Sequence, residues 1–187
     1  MIKVLVPLAE GVEEMEAVIV IDTLRRARFE VMAAGLKAGP LTAARGVRLI
    51  PDVTLDEVRV ADFDVLVLPG GKGVDVLMQD ARVLEAVRTL HAAGRWVCAV
   101  CAAPLVLQKA GILAGRRVTC FPGVADQLTV TRRLDDRVVV DGHLITSQSA
   151  GASLAFALEI IRQVGSRALA KQVAETLVAD WDSEKPS

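Results

Sequence analysis

Residues 96–104 read Trp-Val-Cys-Ala-Val-Cys-Ala-Ala-Pro. The run up to Val100 is apolar or small with no alternation, the pattern of a strand covered on both faces, as in a parallel sheet. Small residues follow, and Pro104 falls in the opening turn of a helix over Ala102–Ala110, where a missing N–H leaves no bond unmade. Gly111 closes that helix. The segment therefore reads as a strand turning sharply into a helix, with Cys101 at the elbow.

Ahead of the elbow, Val83 to Ala93 is an amphipathic helix closed by Gly94, and Asp64 to Leu68 is a second doubly buried strand running into Pro69-Gly70-Gly71. Ile2 to Leu8 is a first strand, ending in the loop Ala9-Glu10-Gly11. From Glu13 the spacing becomes helical through Met15, Val18, Ile19, Asp22 and Arg26. Glu13 and Glu14 suit the positive end of that helix, and Arg25, Arg26 and Arg28 its negative end. Phe29 to Ala34 is a strand, and Val47 to Pro51 a short extended segment. Beyond the elbow, Arg117–Phe121, Val138–Val140 and Leu144–Thr146 read as strands. Helices over Ser153–Val164 and Ala168–Ala179 finish the chain, divided at Gly165-Ser166. Strands alternating with helices predict an α/β fold with a mostly parallel sheet and helices on both faces. No repeat or linker breaks the pattern, so residues 1–187 are expected to form one domain.

Composition narrows the function. The chain has 187 residues, 52% of them apolar, yet its apolar runs stop well short of a membrane span, which needs ~20 residues. The N-terminal stretch lacks the long apolar core and cleavage site of a signal peptide and reads as a strand, so a cytoplasmic location is expected. A net charge of −1 argues against nucleic acid as a partner. The Arg-Arg pairs at 25–26, 116–117 and 132–133 read as solvated faces, and the absence of tyrosine disfavours a base-stacking platform. Three cysteines without an export signal imply free thiols in a reducing compartment. His91 and His143 show no ligand spacing with them, so neither a metal nor a cofactor is expected. Both histidines read as surface residues. Cys98, inside a strand, reads as core packing and not as half of a redox C-x-x-C.

In open α/β sheets, ligands bind where strands end and helices begin. Three such crossings stand out here: Glu10–Glu16, Pro69-Gly70-Gly71, and the elbow at Cys101. A helix N-terminus beside Cys101 would favour its thiolate. A buried structural cysteine is the other reading, since free Cys is among the most buried residue types. The amides of Gly70, Gly71 and Ala102 would together form an oxyanion hole, although paired glycines after a strand also serve as plain tight turns.

Glu13-Glu14-Met15-Glu16, Leu68-Pro69-Gly70-Gly71 and Ala99-Val100-Cys101-Ala102-Ala103-Pro104, together with Arg45-Gly46-Val47 and Leu144-Ile145-Thr146-Ser147, resemble the ThiJ/PfpI superfamily. Within it the likeness is to the branch of the human parkinsonism-associated protein and its bacterial relatives. The resemblance implies a flavodoxin-like three-layer sandwich, of the kind shared with class I glutamine amidotransferases, that forms a homodimer. It implies a nucleophilic, oxidation-prone Cys101 with Glu16 beside it, Gly71 and Ala102 amides around an anion pocket, and Arg26 and Arg45 at the dimer edge near that pocket. Two positions depart from the superfamily's pattern. Phe121 stands where many relatives carry histidine, which puts a Cys-His-acid triad and protease activity in doubt. Ser149-Ala150-Gly151 stands in place of Gly-Pro-Gly.

A thiolate and a carboxylate in contact repel, so the pair is expected to share one proton. A protonated Glu16 would donate to the Cys101 thiolate, then act as acid and base while the thiolate attacks a small reactive carbonyl. That is cofactor-free glyoxalase or deglycase chemistry on methylglyoxal-like dicarbonyls or their early adducts. The alternative is an oxidative-stress sensor or protective chaperone using oxidation of Cys101. A cysteine hydrolase ranks last. Cys120, expected on the same rim, is a candidate to resolve an oxidised Cys101.

Overall fold

The structure is a computed structural model, and residues 1–181 are described. In chain order the first half comprises β1 (Lys3–Leu8), α1 (Glu14–Arg26), β2 (Glu30–Gly35), β3 (Leu41–Thr42), β4 (Arg48–Leu49), β5 (Val53–Thr54), β6 (Val65–Leu68), α2 (Val74–Gln79) and α3 (Ala81–Ala92). The second half comprises β7 (Trp96–Val100), α4 (Pro104–Ala110), β8 (Arg117–Val118), β9 (Arg132–Arg133), β10 (Val138–Asp141), β11 (Leu144–Ser147), α5 (Ser153–Val164) and α6 (Arg167–Thr176).

One seven-stranded sheet runs β10-β11-β7-β6-β1-β2-β5. All its pairings are parallel except β10 with β11 at one edge. Along the central strands, side chains alternate between two apolar clusters. Val4, Val65, Val67, Cys98 and Val100 join the cluster that includes Val20, Leu24, Phe156 and Val173 from α1, α5 and α6. Leu5, Leu66, Leu68, Val97 and Ala99 join the one that includes Leu77, Val87 and Leu107 from α2, α3 and α4. This is why these strands read as unbroken apolar runs: both faces are covered, and each buried Leu or Val contributes about 1.5–3 kcal/mol. The expected three-layer α/β sandwich is the fold observed, with the flavodoxin-like strand order.

From β1 the chain passes to β2 on one side, and β6 pairs with β1 on the other. The winding therefore reverses between β1 and β6, and the loops leaving β1, β6 and β7 meet above that crevice.

Several boundaries differ from the sequence reading. The strand expected over Arg117–Phe121 stops at Val118, because Thr119 N–H turns to Thr146 Oγ1 at 2.9 Å and Phe121 N–H to the Cys101 carbonyl at 2.8 Å. The helix expected from Ala102 begins at Pro104, since the elbow turn occupies Cys101–Ala103. The last helix ends at Thr176, just before Val178 in left-handed backbone. Helix α2 and the two-residue strands β3, β5 and β9 were not anticipated; β9 lies within an Arg-Arg pair read as solvated surface. Among the described residues, no helix is long and apolar enough to cross a membrane.

Candidate active site

Cys101 follows the last residue of β7 with a φ of 64°, a left-handed conformation that a side chain disfavours. The turn is pinned on both sides. Cys101 N–H donates to the Ser147 carbonyl at 2.9 Å, and its own carbonyl accepts Phe121 N–H. The thiol is half-buried. Strain of this kind, about 1–3 kcal/mol, persists where the surroundings enforce it.

Glu16 comes from the first turn of α1 and is fully buried. Glu13, the N-cap, accepts Glu16 N–H at 2.8 Å and fixes that turn. Glu16 Oε2 accepts Gly70 N–H at 2.7 Å, and Oε1 is buried with no hydrogen-bond partner among the described residues. Burial pushes the carboxyl up to about 7, against the opposing pull of the Gly70 amide, the Cys101 thiol and, more weakly, the Ala150 amide. Burial and then the Glu16 charge push the Cys101 thiol up to about 12, although the Gly71 and Ala102 amides draw it down. The amides act in the direction expected of the elbow, and burial and the neighbouring carboxylate act against them. Each group's charge acts on the other, so Glu16 and Cys101 titrate as a coupled pair.

The structure brings Cys101, Glu16, Gly70, Gly71 and Ala102 together. It divides the expected oxyanion donors, because the Gly70 amide is engaged by Glu16, leaving Gly71 and Ala102 facing the sulfur. Gly71, at φ 87°, owes its amide direction to left-handed backbone.

Arg26 and Arg45 stand apart. Arg26 lies at the far end of α1, about 15 Å along the axis from Glu16, and pairs with Asp22 at 2.6 Å. Arg45 is exposed, and its backbone N–H donates to Glu14 Oε1 at 2.9 Å. Within one copy of the chain, Arg26 does not reach the elbow.

The remaining cysteines and histidines fall outside the cluster. All three cysteines are free. Cys98 is fully buried, and burial pushes its thiol well up. Cys120 is also fully buried and packs in the opposite apolar cluster from Cys101, so the expected place on the rim is corrected for its thiol. His143 packs edge-on against Trp96, ring centroids 4.9 Å apart, and precedes β11. His91 is half-buried, and burial, Arg116 and His143 push its imidazole down. Both lie at the amino end of β7, a strand's length from Cys101. The sequence reading missed Glu13 as a cap and the Ser147 and Phe121 ties. Of these, only Glu13, just ahead of the helical spacing, left a signal.

A nucleophile at a strand–helix elbow, a buried acid and two amides above a parallel sheet form one constellation. The DJ-1/PfpI family model matches residues 2–163 of this chain. The chain belongs to the DJ-1/PfpI family. It is similar to Drosophila melanogaster dj-1beta, 38% identical over 182 residues that cover 95% of this chain and 97% of the relative. The crystal structure of that Drosophila protein matches with a TM-score of 0.92 over 96% of this chain and 99% of its own. It is also similar to the Caenorhabditis elegans glutathione-independent glyoxalase DJR-1.2, 38% identical over 154 residues, 81% of this chain and 82% of the relative. Against Arabidopsis thaliana DJ-1 homolog B, 39% identical over 180 residues, the chain spans 41% of the relative's length.

Proposed function

We propose that this DJ-1/PfpI protein is a cytoplasmic, cofactor-independent glyoxalase that converts methylglyoxal-like 2-oxoaldehydes to 2-hydroxy acids, with Cys101 as nucleophile and Glu16 as acid and base. The observation that carries the reading is the fully buried Glu16 carboxyl against the Cys101 thiol, with Oε2 held by the Gly70 amide and Oε1 left without a hydrogen-bond partner among the described residues. A buried carboxylate oxygen left unpaired is costly, and a proton on it supplies a donor to the sulfur. The reactive form of the pair is then a thiolate facing a carboxylic acid.

The thiolate adds to the aldehyde carbon while the Glu16 proton passes to the aldehyde oxygen, giving a hemithioacetal. Glu16, now a carboxylate, removes the proton from that carbon, and the electron pair moves toward the neighbouring ketone oxygen to give an enediolate. In this reading the Gly71 and Ala102 amides stabilise the oxyanion. Return of the proton to the adjacent carbon, with transfer of the hemithioacetal hydroxyl proton to the former ketone oxygen, yields a thioester of the 2-hydroxy acid, and water releases the acid and the thiol. The sum is 2-oxoaldehyde plus water to 2-hydroxy acid, with no external oxidant. The same attack on early adducts of dicarbonyls with amines or thiols gives a deglycase reaction.

A family relative named as a glutathione-independent glyoxalase supports the chemistry. A cysteine hydrolase of the Cys-His type lacks its histidine, since the chain's two histidines lie at the other end of β7. The amides directed at Cys101 also favour a second reading, in which they and Glu16 hold an oxidised Cys101 sulfinate as a stress signal. The exposed apolar residues Met15, Val18, Val47 and Ile50, on α1 and the β3–β4 hairpin, are the face we assign to a homodimer.

The test is lactate formation from methylglyoxal without glutathione, in the wild type, Cys101→Ala and Glu16→Gln. Turnover lost in both variants supports the assignment. No turnover in the wild type removes the enzyme reading for this substrate and leaves the oxidation of Cys101.

A further inference from the structure

The proposed chemistry specifies the aldehyde end of the substrate and leaves its other end open. One residue beside the elbow addresses that end. Phe121 N–H donates to the Cys101 carbonyl at 2.8 Å, so its side chain begins within one residue's reach of the nucleophile. The side chain is large, apolar and 43% exposed, an arrangement with an energetic cost that nothing in the core recovers.

The ring is also held in place. Pro122 follows it and opens a 3-10 turn over Pro122–Gln127, and Val124 N–H returns to the Phe121 carbonyl at 3.0 Å. One edge of the ring lies so close to Gly123 that a Cβ there would come within 2.6 Å of Phe121 Cε1. An aromatic ring anchored at its backbone, with one edge against a glycine and 43% of the residue exposed, keeps apolar surface open to a ligand. The surroundings agree. Ala102 is half-buried next to Cys101, and Ala150, half-buried, has its amide near the Glu16 carboxyl. Gly151 has open space where a side chain would stand. The charged group at the thiol is Glu16, on the side of Gly70.

We propose that Phe121 is a specificity-determining residue, the wall of an apolar subsite that accepts an aryl or branched-alkyl group on the ketone carbon of a 2-oxoaldehyde. This rests on the glyoxalase reading for its reaction, but the subsite itself is a property of the space beside Cys101. The balanced reaction is arylglyoxal plus water to the 2-hydroxy-2-aryl acid, by the steps already given. The ring contributes by stacking on or packing against the substrate's apolar group, and a methyl group fills too little of the space to gain as much.

Two measurements test it, in the wild type, Phe121→Ala and Phe121→Leu. The first is the ratio of kcat/KM for phenylglyoxal to that for methylglyoxal. Loss of the ring is expected to lower this ratio about 10-fold in Phe121→Ala, mostly through KM for phenylglyoxal, with Phe121→Leu between. A general loosening of the elbow would depress both substrates alike and leave the ratio where it was. The second needs no turnover: the rate of Cys101 alkylation by N-phenyl iodoacetamide relative to iodoacetamide, read by mass spectrometry of the intact chain. The aryl reagent is expected to gain in the wild type and lose that gain in Phe121→Ala. If the wild type turns over neither dicarbonyl, the glyoxalase reading falls and the alkylation ratio alone decides the subsite. Ratios that Phe121→Ala leaves unchanged overturn the proposal.

Discussion

Gly70 and Glu16 are joined backbone to side chain: the Gly70 amide donates to Glu16 Oε2 at 2.7 Å, while the Gly70 carbonyl accepts Glu13 N–H at 2.9 Å. The loop after β6 thus grips the first turn of α1 at two points and sets the direction of the carboxyl. There is no room for a side chain at this position. A Cβ on Gly70 would lie 2.5 Å from Cys101 Cβ and 2.7 Å from Glu16 Oε2.

Gly70→Ala should therefore separate the pair without emptying the core. We expect a stability loss of about 1–3 kcal/mol, the usual cost of overpacking. Activity should fall further than stability, by about 100-fold in kcat, because a misplacement near 1 Å is enough to do so. Urea unfolding alongside methylglyoxal turnover checks both. Full activity in Gly70→Ala would mean that the close approach is not needed.

Cys101 makes a second prediction about strain. Left-handed backbone costs a non-glycine residue about 1–2 kcal/mol, whereas glycine's extra freedom in the unfolded chain costs about 0.5–1 kcal/mol. At φ 64° the first effect is larger. Cys101→Gly should accordingly be more stable than Cys101→Ala, the reverse of the order at an ordinary helical position. Chemical denaturation of the two variants reads the sign directly, and equal or greater stability of the alanine variant would show an unstrained elbow.

The exposed apolar face predicts an association. Val18 and Ile50 are 47% and 79% exposed and flank a hollow that Ile21 and Leu49 also line. Covering it with a second copy removes these side chains from water, and a charge placed there opposes that burial. The wild type is expected at twice the chain mass in light scattering, and Val18→Glu with Ile50→Glu at the chain mass with an unchanged circular dichroism spectrum. A monomeric wild type would remove the dimer assignment. Arg26, remote from Cys101 on its own chain, would then have no route to the site.

The fold was legible because its central strands are buried on both faces, and that leaves unbroken apolar runs such as Val65–Leu68 and Trp96–Val100. The elbow was legible for a different reason: small residues and Pro104 mark a sharp turn into a helix. Strands of two residues carry no periodicity, so β3, β5 and β9 were not. The Gly70 amide was assigned to an anion hole because a sequence shows a donor without its acceptor, and the acceptor lies on α1, remote in the chain. Cys120 shows the same limit. Its neighbour Phe121 does reach Cys101, but the thiol faces the other layer.

The shared proton between Glu16 and Cys101 predicts an unusual pH profile for thiol alkylation. Below about 7 the carboxyl is protonated and the thiol keeps its own proton, so the pair is neutral and unreactive. As the pH rises through that value one proton leaves, and a fixed fraction of the pair then has its charge on sulfur. The thiol's own loss, pushed up to about 12, lies far above. The alkylation rate should rise about tenfold per pH unit below 7 and then level off to pH 9, because thiolate is the nucleophile. In Glu16→Gln there is no carboxyl to share with. Removing its charge lowers the thiol from its wild-type position, but burial still opposes the thiolate, so the rate should keep climbing through pH 9. Iodoacetamide labelling mapped to Cys101 by mass spectrometry distinguishes the profiles, since Cys98 and Cys120 are fully buried. A wild type that climbs without a plateau would show that the two groups titrate independently, and Glu16 would lose its role as the proton carrier.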